Sequence, residues 1–193
     1  MQPDKSTFEI GIIGAGDMGL LYAQRFRKAG WKRINICDIP ARYQELREQL
    51  ADQDYQVLPD GYAVSRRSDY IIYSVEAGNI DSAVAQYGRA TKVGAIVGGQ
   101  TSVKAPEIAA FERHLPADVH IVTLHSLHGP NIDTPGQPLV RFTLPLIGGA
   151  LQNTARDVVI RHRCDDQRFE SAKAVLNSLK SNMVHLSYTE HDR

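Results

Sequence analysis

The stretch FEIGIIGAGDMGLLYAQRF, residues 8–26, constrains the fold more than any other part of this chain. A short apolar run ends in three glycines spaced G-x-G-x-x-G (Gly14, Gly16, Gly19), and a helical pattern follows at once. Glycines also make ordinary turns, but a strand before them and a helix after them is the context of a dinucleotide-binding βα turn. Each glycine has its own task there. Gly14 permits the tight turn, Gly16 lets the backbone approach a pyrophosphate with no Cβ in the way, and Gly19 lets the helix pack closely on the strand. The helix N-terminus, with Ala15, Asp17 and Met18 around it, then offers unpaired N–H groups and partial positive charge to phosphate.

The rest of the chain alternates between the two periodicities. Strands are predicted over 8–13, 33–38, 69–75, 94–99, 119–126 and 183–188, and helices over 17–29, 41–51, 79–88, 105–115 and 165–181. Such alternation predicts βαβ units and a Rossmann-type, doubly wound α/β fold with a mostly parallel sheet. Residues 129–157 show no clean period and hold four prolines and four glycines. The 22 basic and 22 acidic side chains cancel, so no nucleic-acid partner is expected. No apolar run reaches the ~20 residues of a membrane span, and the N-terminus lacks a secretory h-region. Cys37 and Cys164 make neither a disulfide framework nor a metal-binding spacing, so no metal is expected and a reducing, cytoplasmic setting fits.

Asp38 ends the second strand 19 residues after Gly19, near the ~20-residue spacing of a carboxylate that binds the adenosine ribose. Taken alone it favours NAD, and a turn or capping role is the alternative. Arg42 and Arg33 are candidate partners of a 2′-phosphate. Ligands of open α/β sheets bind outside the carboxyl ends of the strands. Those ends here read Ser74-Val75-Glu76, Gly98-Gly99-Gln100-Thr101-Ser102 and His125-Ser126-Leu127-His128. His125 is the leading acid–base candidate, with a strand-end histidine satisfied by backbone as its bland alternative. Ser102 is positioned to orient a substrate hydroxyl or the imidazole, or simply to cap a helix. His128 competes for the base. His114, His120, His162 and His185 read as surface or packing residues, and His191 falls at the chain end.

Four stretches together resemble the prephenate dehydrogenase family, in its fungal, NADP-linked branch: GIIGAGDMGLLYAQRF, SDYIIYSVEAGNI, VGAIVGGQTSVKAPEIAAFE and LHSLHGPNIDTPGQPLV. The resemblance covers about 8–140 and resumes over roughly 166–193. It implies oxidative decarboxylation of prephenate to 4-hydroxyphenylpyruvate with NADP+, on the route to tyrosine. His125 takes the place of the family's histidine that draws the proton from the ring hydroxyl, and Ser102 matches the serine beside it. Cofactor NADP (NAD being possible) is expected at Gly14–Gly19, Asp38, Arg42 and Ser74–Glu76.

The family also carries a helical dimerisation domain after the motif matched by TEHDR. The expectation is that this domain is absent here, leaving 1–182 as the dinucleotide-binding domain and 183–193 as a last strand and stub. On that expectation the chain binds NADP(H) and turns over prephenate poorly or not at all. Residues 141–157 resemble no family segment and read as an insert or a family-specific loop. Two alternatives stay open: a catalytically silent NADP(H)-binding module, and another β-hydroxyacid-type or pyrroline-type reductase domain.

Overall fold

The computed structural model describes residues 2–126 and 156–192. The apolar run over Glu9–Ile13 forms β1, and the glycine turn leads into helix α1, Asp17–Lys28. Then come β2 (Arg33–Cys37), α2 (Tyr43–Gln49), β3 (Gln56–Val57), α3 (Gly61–Arg67) and β4 (Tyr70–Tyr73). The chain continues through α4 (Ile80–Tyr87), β5 (Ile96–Gly99), α5 (Lys104–His114) and β6 (His120–Ser126). After residue 155 it resumes with β7 (Arg156–Arg163), α6 (Asp166–Leu176), β8 (Asn182–His185) and the single turn α7 (Tyr188–His191).

All eight strands lie in one sheet, in the order β3-β2-β1-β4-β5-β6-β7-β8. The pairs from β3 to β6 are parallel. β7 joins β6 antiparallel, with His125 opposite Val158, and β8 runs parallel to β7. Successive strand residues alternate between the two faces. Ile10, Ile12, Tyr70 and Ile72 pack with Phe26, Leu46 and Val175 from α1, α2 and α6. Ile13, Ile71 and Tyr73 pack with Val64, Val84 and Phe111 from α3, α4 and α5. The sheet is therefore covered on both faces, the doubly wound arrangement expected from the alternation of elements. Strand order reverses between β1 and β4, and that switch point opens a crevice beyond the carboxyl ends of the strands.

Several elements differ from the sequence-based expectation. β3 and α3 are too short to show a period; the local signal for α3 is Asp60, whose side chain accepts the N–H of Ala63 at 2.8 Å. β7 has charged ends that mask its central Val158-Val159-Ile160 run, all three buried. It begins at Arg156, so the last two residues of the presumed insert, Arg156 and Asp157, belong to the sheet, while 141–155 lie outside the described residues. The predicted last strand stops at His185, and Ser187 opens α7 through a capping box with Glu190. The predicted helices over 41–51 and 165–181 are trimmed to their middles by 3-10 turns, and Lys180 takes left-handed φ at 54° after the second.

A buried ion pair fastens β5, α5 and β6 together. The side chains of Lys104 and Glu107 are both fully buried, with Lys104 Nζ 2.9 Å from Glu107 Oε1. The same ammonium donates to the Leu124 carbonyl at 2.6 Å and to the Thr123 hydroxyl at 3.1 Å. Glu107 Oε2 accepts the N–H of Thr101 at 3.0 Å and its hydroxyl at 2.6 Å. Burial pushes the Lys104 ammonium below its ordinary pKa, and the Glu107 carboxylate opposes that shift. Removing one partner of such a pair strands the other charge. Glu107→Gln is expected to lower unfolding free energy by about 3 kcal/mol or more in urea; a loss under about 1 kcal/mol would show that the pair is not the fastening described.

Candidate active site

The glycine turn has the geometry that its spacing predicts. Gly14 has φ +104°, and a Cβ there would lie 2.2 Å from the Ser74 carbonyl oxygen. A Cβ on Gly19 would lie 2.1 Å from the Gly14 carbonyl oxygen, so α1 stands against its own turn only because that atom is missing. Gly16 is different: a Cβ there would meet nothing within 4 Å. Its extended backbone, φ −74° and ψ −177°, caps α1 without any side-chain bond. The first two glycine-only positions are demanded by the fold. The third is demanded by no contact within the chain, and the space beside it is open.

Asp38 lies beside this turn. Its Oδ2 accepts the N–H of Ala15 at 3.0 Å and Arg42 Nη1 at 2.7 Å, and its Oδ1 accepts the N–H of Ile39 at 2.7 Å. The carboxylate therefore braces the turn and is covered by a guanidinium. Arg42 also reaches Glu45, at 3.4 Å, and its side chain remains 36% exposed. These bonds to backbone and to Arg42 give Asp38 the turn role that the sequence offered as its alternative.

Gly16, Asp17 and Met18 share one cleft of about 450 Å³ with Ser74, Val75, Glu76, Gln100, Ser102, His125 and Ser126. The turn and the imidazole thus lie on one rim of the sheet, on opposite sides of a single crevice. His128 lies outside the described residues. Ser102 is exposed on the cleft wall. It is not the cap of α5, whose N-cap is Val103 with no side-chain bond. The α5 N-terminus is capped from 88 residues away. Asp192 accepts the Lys104 N–H at 2.9 Å and the Ala105 N–H at 2.6 Å.

The surroundings of His125 include residues to which the sequence reading gave no role. Its Nδ1 lies 2.8 Å from Nε2 of His191, and His191 Nδ1 lies 2.7 Å from Asp192 Oδ1. Burial first, then Lys104 and His191, lower the His125 pKa to about 4, against the raising effect of Asp192. Gln100 and Ser126, which the strand ends placed on this edge without a role, also line the cleft. Gln100 Nε2 donates to the Ser74 hydroxyl, and Ser126 bonds the buried Tyr22 hydroxyl. The Gln100 side-chain carbonyl oxygen is buried with no hydrogen-bond partner among the described residues. A signal for His191 and Asp192 was present in the TEHDR stretch that carries part of the family resemblance, yet spacing alone could not bring residue 191 to residue 125. Among the described residues no group of three or more His, Cys, Asp or Glu is placed to hold a metal ion. No helix among them is long and apolar enough to cross a membrane.

A family model described as NADP oxidoreductase, coenzyme F420-dependent, matches residues 9–97, the first half of this sheet. The chain is 52% identical over 189 residues to a probable prephenate dehydrogenase [NADP(+)] of Schizosaccharomyces pombe, covering 98% of this chain and 39% of the relative. It is 50% identical over 190 residues to the prephenate dehydrogenase [NADP(+)] of Saccharomyces cerevisiae, covering 98% and 38%. The prephenate dehydrogenase of Aquifex aeolicus superposes with a TM-score of 0.70 at 20% identity, over 95% of this chain and 63% of that one, a likeness of fold. The chain is thus similar to these two fungal proteins over nearly all of its own length and spans about two-fifths of theirs.

Proposed function

We propose that this chain supplies the NADP(+)-binding turn and the proton acceptor of a prephenate dehydrogenase. One observation supports the reading above the others: a single cleft joins the open backbone at Gly16 to the imidazole of His125. Both halves of the chemistry need that juxtaposition. Prephenate carries a ring hydroxyl and a ring carboxylate, and its oxidation releases CO₂ and leaves 4-hydroxyphenylpyruvate. When bound, the nicotinamide takes the hydride from the hydroxyl-bearing carbon. His125 accepts the hydroxyl proton, building alkoxide character on the carbon that loses hydride. Ser102, on the same wall, is assigned to orient that hydroxyl.

The residues present fit the cofactor. Gly16 leaves room for the pyrophosphate, and the N-terminus of α1 offers its amides. Ala15, Asp17 and Met18 complete the turn, and Ser74, Val75 and Glu76 form the facing wall. Asp38 is engaged by Ala15, Ile39 and Arg42, so the group turned outward at the ribose end is the Arg42 guanidinium. That arrangement favours a 2′-phosphate over a bare 2′-hydroxyl. In this reading the dinucleotide-binding domain expected over 1–182 also takes in the segment after it, since β8 belongs to the sheet and His191 and Asp192 return to His125 and α5.

Held at about 4, the His125 imidazole is neutral throughout the physiological range and so has a free acceptor nitrogen, while the same shift makes it a weaker base. It also has a consequence for stability. Between about 6.5, the ordinary value, and about 4, the unfolded chain binds a proton at this residue that the folded chain does not. Stability therefore falls as pH drops through that window, and the loss stops growing below it. His125→Asn is expected to flatten the fall of the urea midpoint between pH 6.5 and pH 4; equal slopes in the two proteins would contradict the shift.

Fluorescence titration with NADPH tests the cofactor site. Gly16→Val is expected to leave stability within about 1 kcal/mol of the parent while weakening NADPH binding tenfold or more. Gly19→Ala, by contrast, should lose about 2 kcal/mol of stability from overpacking. Unchanged NADPH affinity in a folded Gly16→Val protein would remove the turn from the cofactor site. Arg42→Ala should weaken NADPH binding by roughly tenfold and leave NADH binding nearly unchanged; equal losses would reject a 2′-phosphate contact. For the chemistry, in a protein completed to the length of its fungal relatives, prephenate-dependent NADPH formation should vanish in His125→Asn with NADPH affinity retained, and persisting turnover would reassign the base.

A further inference from the structure

We infer that Asp192 and His191 are positioning residues that hold His125 in its Nδ1–H tautomer, leaving Nε2 as the bare nitrogen that takes the substrate proton. The inference rests on the reading of His125 as proton acceptor and goes beyond it to name what sets that acceptor. The argument starts at Asp192, whose carboxylate is fixed by the backbone N–H groups of Lys104 and Ala105 at the start of α5. Burial pushes its pKa up, but the hydrogen bonds from Lys104, His191 and Ala105 outweigh burial and hold it below the ordinary value. Asp192 is therefore an ionised carboxylate, which accepts hydrogen bonds and donates none.

The proton positions then follow in order. Asp192 Oδ1 lies 2.7 Å from His191 Nδ1, so Nδ1 of His191 carries the hydrogen. A neutral His191, with its one N–H on Asp192, presents Nε2 as an acceptor, whereas an imidazolium there would donate from both nitrogens and give the opposite order. Nδ1 of His125 lies 2.8 Å from that acceptor and must be the donor. Nε2 of His125 is then the unprotonated nitrogen. The two rings meet edge to face, centroids 5.1 Å apart and planes at 65°. The His191 side chain is only 8% exposed, so water competes little for its nitrogens.

The relay also bears on the charge that forms when His125 accepts a proton. Burial, the Lys104 ammonium and His191 all disfavour the imidazolium, and Asp192 favours it. Asp192 is thus the carboxylate that offsets them at His125, while Glu107 is spent on Lys104. The second nitrogen of a working histidine commonly meets a carboxylate or carbonyl directly. Here a second imidazole stands between them, brought 66 residues along the chain by a four-residue helix.

Nitrogen-15 NMR of the histidine side chains in the whole 193-residue chain reads the tautomer without turnover or cofactor. Two-bond proton–nitrogen correlations near neutral pH are expected to show His125 Nδ1 with a pyrrole-type shift and Nε2 with a pyridine-type shift. The His125→Asn spectrum identifies the signals. His191→Phe, which keeps a ring and removes the acceptor, should move His125 toward the Nε2–H form. His191→Gln, which restores a carbonyl acceptor, should bring the Nδ1–H form back. A wild-type His125 already in the Nε2–H form overturns the inference without any variant. An unchanged pattern in folded His191→Phe overturns it too. NADPH titration of the same samples separates the two proposals. The Nδ1–H form in a chain that fails to bind NADPH upholds the relay and rejects the dehydrogenase reading. The Nε2–H form in a chain that binds NADPH does the reverse.

Discussion

The Lys104 ammonium, enclosed beneath the carboxyl ends of β5 and β6, is the interaction on which the active rim depends. An isolated charge at such a depth would cost several kcal/mol to desolvate. It is retained because four groups meet it: the Glu107 carboxylate, the Thr123 hydroxyl, the Leu124 carbonyl and, at 3.4 Å, the Gly99 carbonyl. Those groups belong to α5, β6 and β5, the elements that carry Ser102 and His125. A Cβ on Gly98 would lie 2.2 Å from the Val122 carbonyl oxygen, so β6 can lie this close to β5 only with glycine there. The pair adds specificity more than bulk stability, because it has one geometry in which every donor and acceptor is answered.

The two ends of the cleft are built from different materials. The phosphate end relies on backbone. Gly14 and Gly19 let chain segments touch, Gly16 keeps space clear, and the α1 N-terminus adds partial positive charge. Even Asp38, the charged residue at that end, spends most of its capacity holding the turn in shape. The proton end relies on side chains, where His125 is flanked by Lys104 on one side and by His191 and Asp192 on another. Such a division follows from the ligands each end would meet. Diphosphate has a fixed charge that rigid dipoles satisfy, whereas a proton acceptor has to tolerate two charge states at one atom.

What the sequence made legible was local stereochemistry and period. The demands at Gly14 and Gly19 were readable because the turn's own backbone sets them, through the left-handed φ of Gly14 and the contact of Gly19 with the Gly14 carbonyl. The parallel strands β1, β2, β4 and β5 were readable because burial on both faces forces continuous apolar runs. The last strand was carried through to Tyr188, the first residue of α7, since MVHLSY is β-prone, yet the Ser187–Glu190 capping box prevails after the sheet ends. The capping role that was the alternative for Ser102 is filled by Asp192, from a part of the chain no local rule connects to α5. The His125–His191 contact was invisible for the same reason. It depends on β7 turning back against β6, on β8 extending the sheet, and on α7 then packing on α5.

The two ends are joined mechanically as well as by the cleft. Gly14 closes against the Ser74 carbonyl, and the Ser74 hydroxyl holds the Gln100 side chain. Gln100 leads directly to Thr101, whose N–H and hydroxyl are bonded to Glu107, and Glu107 holds Lys104. Lys104 reaches the Leu124 carbonyl immediately before His125, while its own N–H is taken by Asp192 at the far end of the relay. An unbroken series of close packings and hydrogen bonds thus runs from the turn to both sides of the imidazole. The exposed Ser102–Val103 step lies between the bonded Thr101 and the capped Lys104, and the Thr101 hydroxyl donates to the Val103 carbonyl at 2.9 Å, so the series turns this corner of the cleft wall without a gap.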